Sequence, residues 1–128
     1  MNARAHAVRT HLIESSSRRR ILTELEYAIS PWRRFAGLMG RRALPEGFGL
    51  YFPHCSSIHT CFMRFTIDII YIDSGWKVMK TVQRMKPWRL SFCPGASGVI
   101  ETAAGCIAAN GIVTGTELQP VENGEIRE

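Results

Sequence analysis

The chain has 128 residues, 45% of them apolar, with 16 Lys+Arg against 11 Asp+Glu and a formal net charge of +5. That length suits one domain with one core, and the apolar content argues against a wholly disordered or low-complexity chain. No apolar run approaches the ~20 residues needed to cross a bilayer as a helix.

The positive charge is unevenly placed. Residues 1–20 carry Arg4, Arg9, Arg18, Arg19 and Arg20 against Glu14, a balance of +4, which leaves +1 for everything after them. No apolar run there is longer than Leu12-Ile13, which is too short for the core of a secretory signal. Residues 1–19 therefore read as a basic leader expected to be disordered. Without an export signal the chain is expected in the cytoplasm, where its four cysteines should remain thiols.

A single domain is expected over residues 20–122, followed by an acidic tail, 123–128. Ile21 to Ile29 alternates, from Leu22 onward, as a strand does. Ser30 as N-cap, Pro31 at the first helical position and Gly40 as terminator bracket a short helix. Its apolar stripe is Trp32, Phe35, Ala36 and Met39. Residues 41–47 read as loop, and Leu50-Tyr51-Phe52 as a short strand stopped by Pro53. His59–Met63 and Ile67–Ile72 are rich in aromatic and β-branched residues and are expected as strands. Asp73-Ser74-Gly75 turns the chain into Trp76–Val82, a hairpin with Trp76, Val78 and Val82 on one face and Lys77 on the other. Pro87 and Pro94 bracket an irregular stretch. Val99-Ile100-Glu101 follows as a strand, Ala103–Asn110 as a second short helix ending at Gly111, and Glu117–Val121 as the last strand. The pattern predicts an α+β domain with two short helices, mainly antiparallel β in a compact barrel or sandwich, and the barrel is the arrangement expected.

Three blocks carry a resemblance. Phe35-Ala36-Gly37-Leu38-Met39 with Leu44 and Gly49-Leu50-Tyr51-Phe52 is similar to a "GLM…R…L…GMLF" opening. Phe62-Met63-Arg64-Phe65-Thr66-Ile67-Asp68-Ile69-Ile70-Tyr71-Ile72-Asp73 is similar to a "WMKNT…LDIIFID" signature. Ile100-Glu101-Thr102-Ala103-Ala104-Gly105, then Gly111-Ile112 and Gly115, is similar to a closing "LELPAG…GI…GD". In this order the blocks resemble the uncharacterised family called domain of unknown function 192, over roughly residues 20–121. The resemblance implies a small, mostly β, barrel-like domain with no established activity. Phe62 stands for Trp, Arg64 for Lys, Phe65 for Asn and Thr116 for the usual Asp, and His59-Thr60 before the signature looks like a subgroup feature.

Four groups of side chains could carry chemistry. His54, Cys55, His59 and Cys61 supply four potential zinc ligands within eight residues, and His59 and Cys61 would share a strand face. No C-x-x-C knuckle accompanies them, so a buried Cys with surface His is the competing reading. Cys55 or Cys93 could act as a nucleophile if a neighbouring His or Arg favoured the thiolate. His59, Arg64 and Asp68 form a polar set inside an apolar signature; an Arg64–Asp68 structural pair competes there with a small anionic-ligand or peptide pocket. Trp76, Trp88 and Phe92 alternate with Lys77, Lys80, Arg84, Lys86 and Arg89, but without a recognised binding motif, and nucleic acid is not the expected partner. The expected function is a non-enzymatic binding or accessory domain, possessing a protein partner or a small anionic ligand and serving a cell-envelope or secretion assembly. The alternative is a metal- or thiol-dependent enzyme built on His54, Cys55, His59 and Cys61.

Overall fold

A computed structural model describes residues 10–28 and 43–122. In chain order it contains β1 (Thr10–Glu14), β2 (Arg20–Leu22), β3 (Glu24–Tyr27), β4 (Phe48–Pro53), β5 (Ser57–His59), β6 (Ile67–Ile72), β7 (Val78–Met85), β8 (Leu90–Phe92), β9 (Gly98–Ala103), α1 (Cys106–Asn110) and β10 (Leu118–Glu122). The strands form a five-stranded sheet ordered β3-β4-β9-β6-β7, a three-stranded sheet β10-β1-β2 and a two-stranded ribbon β5-β8. Pairing is antiparallel except between β3 and β4, which run parallel.

All six residues of β6 are buried, because the central sheet is covered on both faces. Leu50, Phe52, Ile67, Ile69, Tyr71 and Val99 pack on one face with Ile58 and Cys93 of the ribbon region. Tyr51, Ile70, Ile72, Val78 and Ile100 pack on the other with Leu12, Ile21, Leu22 and Leu118 of the three-stranded sheet and Ile107 of α1. A strand buried on both sides needs no polar face, which explains the unbroken Ile67–Ile72 run, interrupted only by Asp68.

The expected barrel does not close. The three-stranded sheet meets the five-stranded sheet through the isolated bridge Lys77↔Glu117 and, in sequence, through the corner at Thr23 between β2 and β3. The ladder around the wall is therefore interrupted, and β3 and β7 remain the two ends of their sheet. One short helix, α1, lies among the described residues; the helix expected over Ser30–Gly40 falls outside them.

The leader is also corrected from Thr10 onward, its residues 1–9 lying outside the described ones. Thr10–Glu14 is the middle strand of its sheet, paired with β10 on one side and β2 on the other. Leu12 and Ile13 are buried. Arg19 forks onto α1, donating to the Asn110 carbonyl at 2.8 Å and to Asn110 Oδ1 at 3.1 Å, and pairs with Glu14 at 3.1 Å. Two apolar residues are too few to show periodicity, and the partner of β1 lies at the far end of the chain.

Strand phase differs in two further places. Ile72 opposes Val78 but Tyr71 opposes Lys80, so Met79 is an extra residue. That bulge puts Val78 on one face of the sheet and Val82 on the other, instead of together. The strand expected over His59–Met63 is β5, Ser57–His59, followed by a turn. β8 lies in the stretch expected to be irregular.

Candidate functional site

Thr60, fully buried, ties two loops together. Its hydroxyl donates to the Lys86 carbonyl at 2.6 Å and accepts from Arg89 N–H at 3.0 Å. Its own N–H donates to the Arg89 carbonyl, and its carbonyl accepts from Trp88 N–H, both at 3.0 Å, and from Met63 N–H at 3.2 Å. The loops so joined, after β5 and after β7, each present an aromatic residue in the left-handed backbone region: Phe62 at φ 69° and Trp88 at φ 63°. Bulky residues rarely adopt this conformation, which costs of order 1–3 kcal/mol per residue. The two rings pack edge to face with centroids 4.6 Å apart, and their residues remain 54% and 57% exposed.

The ribbon extends this apolar surface. Ile58 and Ser91 oppose each other and are buried, so period-2 alternation sends Ser57, His59, Leu90 and Phe92 outward. Leu90 and Phe92 are 67% and 58% exposed. Below the ribbon, Tyr71 hydroxyl meets Ser91 Oγ at 2.9 Å. Burial raises the Tyr71 hydroxyl above the usual phenol range, and the Ser91 hydrogen bond opposes that shift. Beside the ribbon lies an open groove of about 750 Å³ whose charged lining is Lys80, Arg84, Lys86 and Arg89, with Leu90 and Phe92 on the same wall. Lys80 Nζ donates to the Phe92 carbonyl at 2.7 Å, bracing the groove. Between residues 54 and 100 the acidic side chains are Asp68 and Asp73 alone. The first is fully buried and the second sits in the β6–β7 turn, where its carboxylate accepts from Gly75 and Lys77 N–H. Among the described residues none of Lys80, Arg84, Lys86 and Arg89 is in a salt bridge.

The His54, Cys55, His59 and Cys61 set does not assemble. Cys55 Sγ donates to the Ser57 carbonyl at 3.0 Å, and His59 Nδ1 accepts from Cys61 N–H at 3.3 Å, because β5 ends at His59 and the chain turns there. Among the described residues no three His, Cys, Asp or Glu side chains are grouped to hold a metal ion. Cys93 is buried in the core; Cys55 is half-buried against it.

Asp68 and Arg64 do not pair. Asp68 Oδ1 accepts from Arg84 N–H at 2.8 Å, at the second bulge of β7, while Oδ2 accepts from Gly105 N–H at 3.1 Å and Ile107 N–H at 2.9 Å. It therefore secures both a bulge and the start of α1, while Arg64 is exposed. His59 lies on the outer face of the ribbon, so the three residues form no common pocket.

Sequence reasoning missed three residues. Thr60 was noted only with His59 as a subgroup feature; its bonds link elements that are distant in sequence, and no local pattern reports that. Glu101 is as buried as Asp68 and lies between Leu50 and Ile69 in the ladder. Its position within an apolar strand was the available signal. Cys106, at the start of α1, has its thiol raised by burial, with hydrogen bonds to Thr102 and Asn110 opposing and Asp68 adding to the rise. It lines a cleft of about 840 Å³ with Leu44, Phe65, Thr66, Ala103 and Gly105.

The family model DUF192, described as an uncharacterized ACR, matches residues 12–120. The chain belongs to the DUF192 family. The match begins inside β1, in agreement with that strand being part of the domain. Two crystal structures share the fold. A Sinorhizobium meliloti 1021 protein, provisionally described as a transcription regulator, is 23% identical with a TM-score of 0.73, covering 91% of this DUF192 chain and 94% of that one. A protein of unknown function from Novosphingobium aromaticivorans DSM 12444 is 20% identical with a TM-score of 0.71, covering 93% and 98%. At these identities the likeness is one of fold. No curated protein matches the chain.

Proposed function

We propose that this DUF192 chain is a non-enzymatic binding domain that engages an anionic partner through Phe62, Trp88, Leu90 and Phe92 and the cationic groove beside them. The observation that carries this reading is the Phe62–Trp88 pair: two large aromatic residues more than half exposed, in left-handed backbone, with their loops fixed by a buried threonine. Water-exposed apolar area gains nothing in the isolated molecule, and a contiguous patch of it is the ordinary mark of an interaction surface. Strain at the same residues supports the assignment. The four cations of the groove choose the sign of the partner. Cys55, Cys61, Cys93 and Cys106 as unpaired thiols suit a cytoplasmic setting. An accessory role in a cell-envelope assembly would need such a docking face.

The test titrates the wild-type chain and a Phe62→Ala/Trp88→Ala double variant with three anionic probes: an oligothymidylate, a Glu/Leu-rich peptide and phosphatidylglycerol-containing vesicles. At least one probe should bind the wild type, and the variant should lose about tenfold or more, the equivalent of ~1.4 kcal/mol. Binding of none of them, or equal binding by a folded variant, overturns the reading.

A further inference from the structure

We infer that the partner is the surface of an anionic lipid bilayer, with Phe62, Trp88, Leu90 and Phe92 entering the interfacial layer and Lys80, Arg84, Lys86 and Arg89 receiving lipid phosphates. The inference rests on the binding reading above and names its target. Three observations favour lipid over the other anionic surfaces. The most exposed large apolar side chain among the described residues is Leu90, at 67%, which has no ring face on which a base could stack. Phe62 and Trp88 already pack edge to face against each other rather than standing apart as successive platforms. Finally, the concavity along the outer face of the ribbon, between His59, Leu90 and Phe92, holds only about 120 Å³. Protein hot spots meet matching pockets, whereas a bilayer interface accepts projecting side chains without one.

The placement of charge fits the same target. Trp settles at the headgroup level, with Lys and Arg alongside it reaching phosphates. The groove lies against Leu90 and Phe92 and offers four cations in about 750 Å³. Leu90 and Phe92 can thus enter the interface beside the phosphate contacts. Thr60 ties the Phe62 and Trp88 loops together, so little order has to be gained there on docking. No helix among the described residues is long and apolar enough to cross a membrane, and the attachment proposed is peripheral.

The test is sedimentation of the full chain with extruded vesicles, either pure phosphatidylcholine or phosphatidylcholine with phosphatidylglycerol. Binding is expected to the anionic vesicles at low salt, to weaken steeply with added salt, and to be negligible on the zwitterionic ones. Arg84→Gln and Lys86→Gln should each cost about fivefold in affinity, as expected for removing one cation near a charged surface. A Trp fluorescence blue shift should accompany binding and disappear in Trp88→Phe. If the loop variants fail to fold, Leu90→Ser/Phe92→Ser, on an exposed strand face, carries the same expectation of lost binding. Absence of binding to anionic vesicles, equal binding to zwitterionic ones, or binding without the Trp88 shift overturns the lipid inference. So does self-association through this face, or preference for the oligothymidylate or acidic peptide; face-dependent binding of either probe would leave the binding-domain reading standing. Failure of all three probes removes both.

Discussion

Thr60 uses its N–H, its carbonyl and both capacities of its hydroxyl while exposing none of them. Replacing it by Val keeps the shape and strands the Arg89 N–H and the Lys86 carbonyl, which should cost about 1–3 kcal/mol in urea unfolding. Ser should restore most of that. Asp68 carries a heavier load, because three backbone N–H groups point at one buried carboxylate. Asp68→Ala should destabilise by about 3 kcal/mol or more, and hydrogen exchange at Arg84, Gly105 and Ile107 should rise with it. The Cys106 thiol is pushed up by burial, so it holds its proton at pH values where an exposed thiol has begun to lose it. Alkylation of Cys106 should therefore require higher pH than a model thiol. The linkage has a definite sign: the unfolded chain releases this proton first, and stability falls as pH rises from the ordinary thiol range to the folded value. At this scale the sequence revealed residue types but not their duties. Asp68 was visible as a polar break in β6, whereas its donors lie on β7 and before α1, and no spacing rule joins those positions.

Elements with local patterns were legible. Ile67–Ile72 was found with its bounds, since five apolar residues in six, bounded by a turn, need no distant information. β8 was missed because Leu90-Ser91-Phe92 is three residues long between prolines, and its partner β5 is itself only three. Its hydrophobic alternation places Leu90 and Phe92 outward, the reverse of an ordinary core strand, so reading apolar as buried hides the candidate site itself. β7 went out of phase at Met79, because a bulge is written in the partner strand and not in its own pattern. The pairing of β4 with β9 makes a separate demand. A Cβ on Gly98 would stand 2.5 Å from Tyr51 Cε1, and Tyr51 is itself packed between Tyr27 and Trp76 with centroids at 5.0 and 4.5 Å. Gly98→Ala should therefore cost about 1–3 kcal/mol by overpacking, visible as a lower thermal midpoint.

At the scale of the whole molecule, the arrangement is ribbon, central sheet and a second sheet with a short helix, rather than a closed wall. The strand pattern and the family resemblance both point to a mostly β domain, but counting strands could not supply closure, which depends on hydrogen bonds between the two sheets. Residues 10–14 carry more than their composition suggests. Leu12 is fully buried within the second core, and Leu12→Ala should cost about 2–5 kcal/mol in chemical denaturation, whereas a disordered leader would tolerate it freely. The pairing of Thr10 with Glu122 has one more consequence, in the order of events during synthesis. β1 leaves the ribosome before every other described strand, yet one of its two edges waits for the last. Until β10 emerges, Leu12 and Ile13 are shielded incompletely, and a long-range closure of this kind folds slowly. A nascent chain halted before Leu118 should accordingly be held by chaperones and cut readily by proteases, while the released full chain is not.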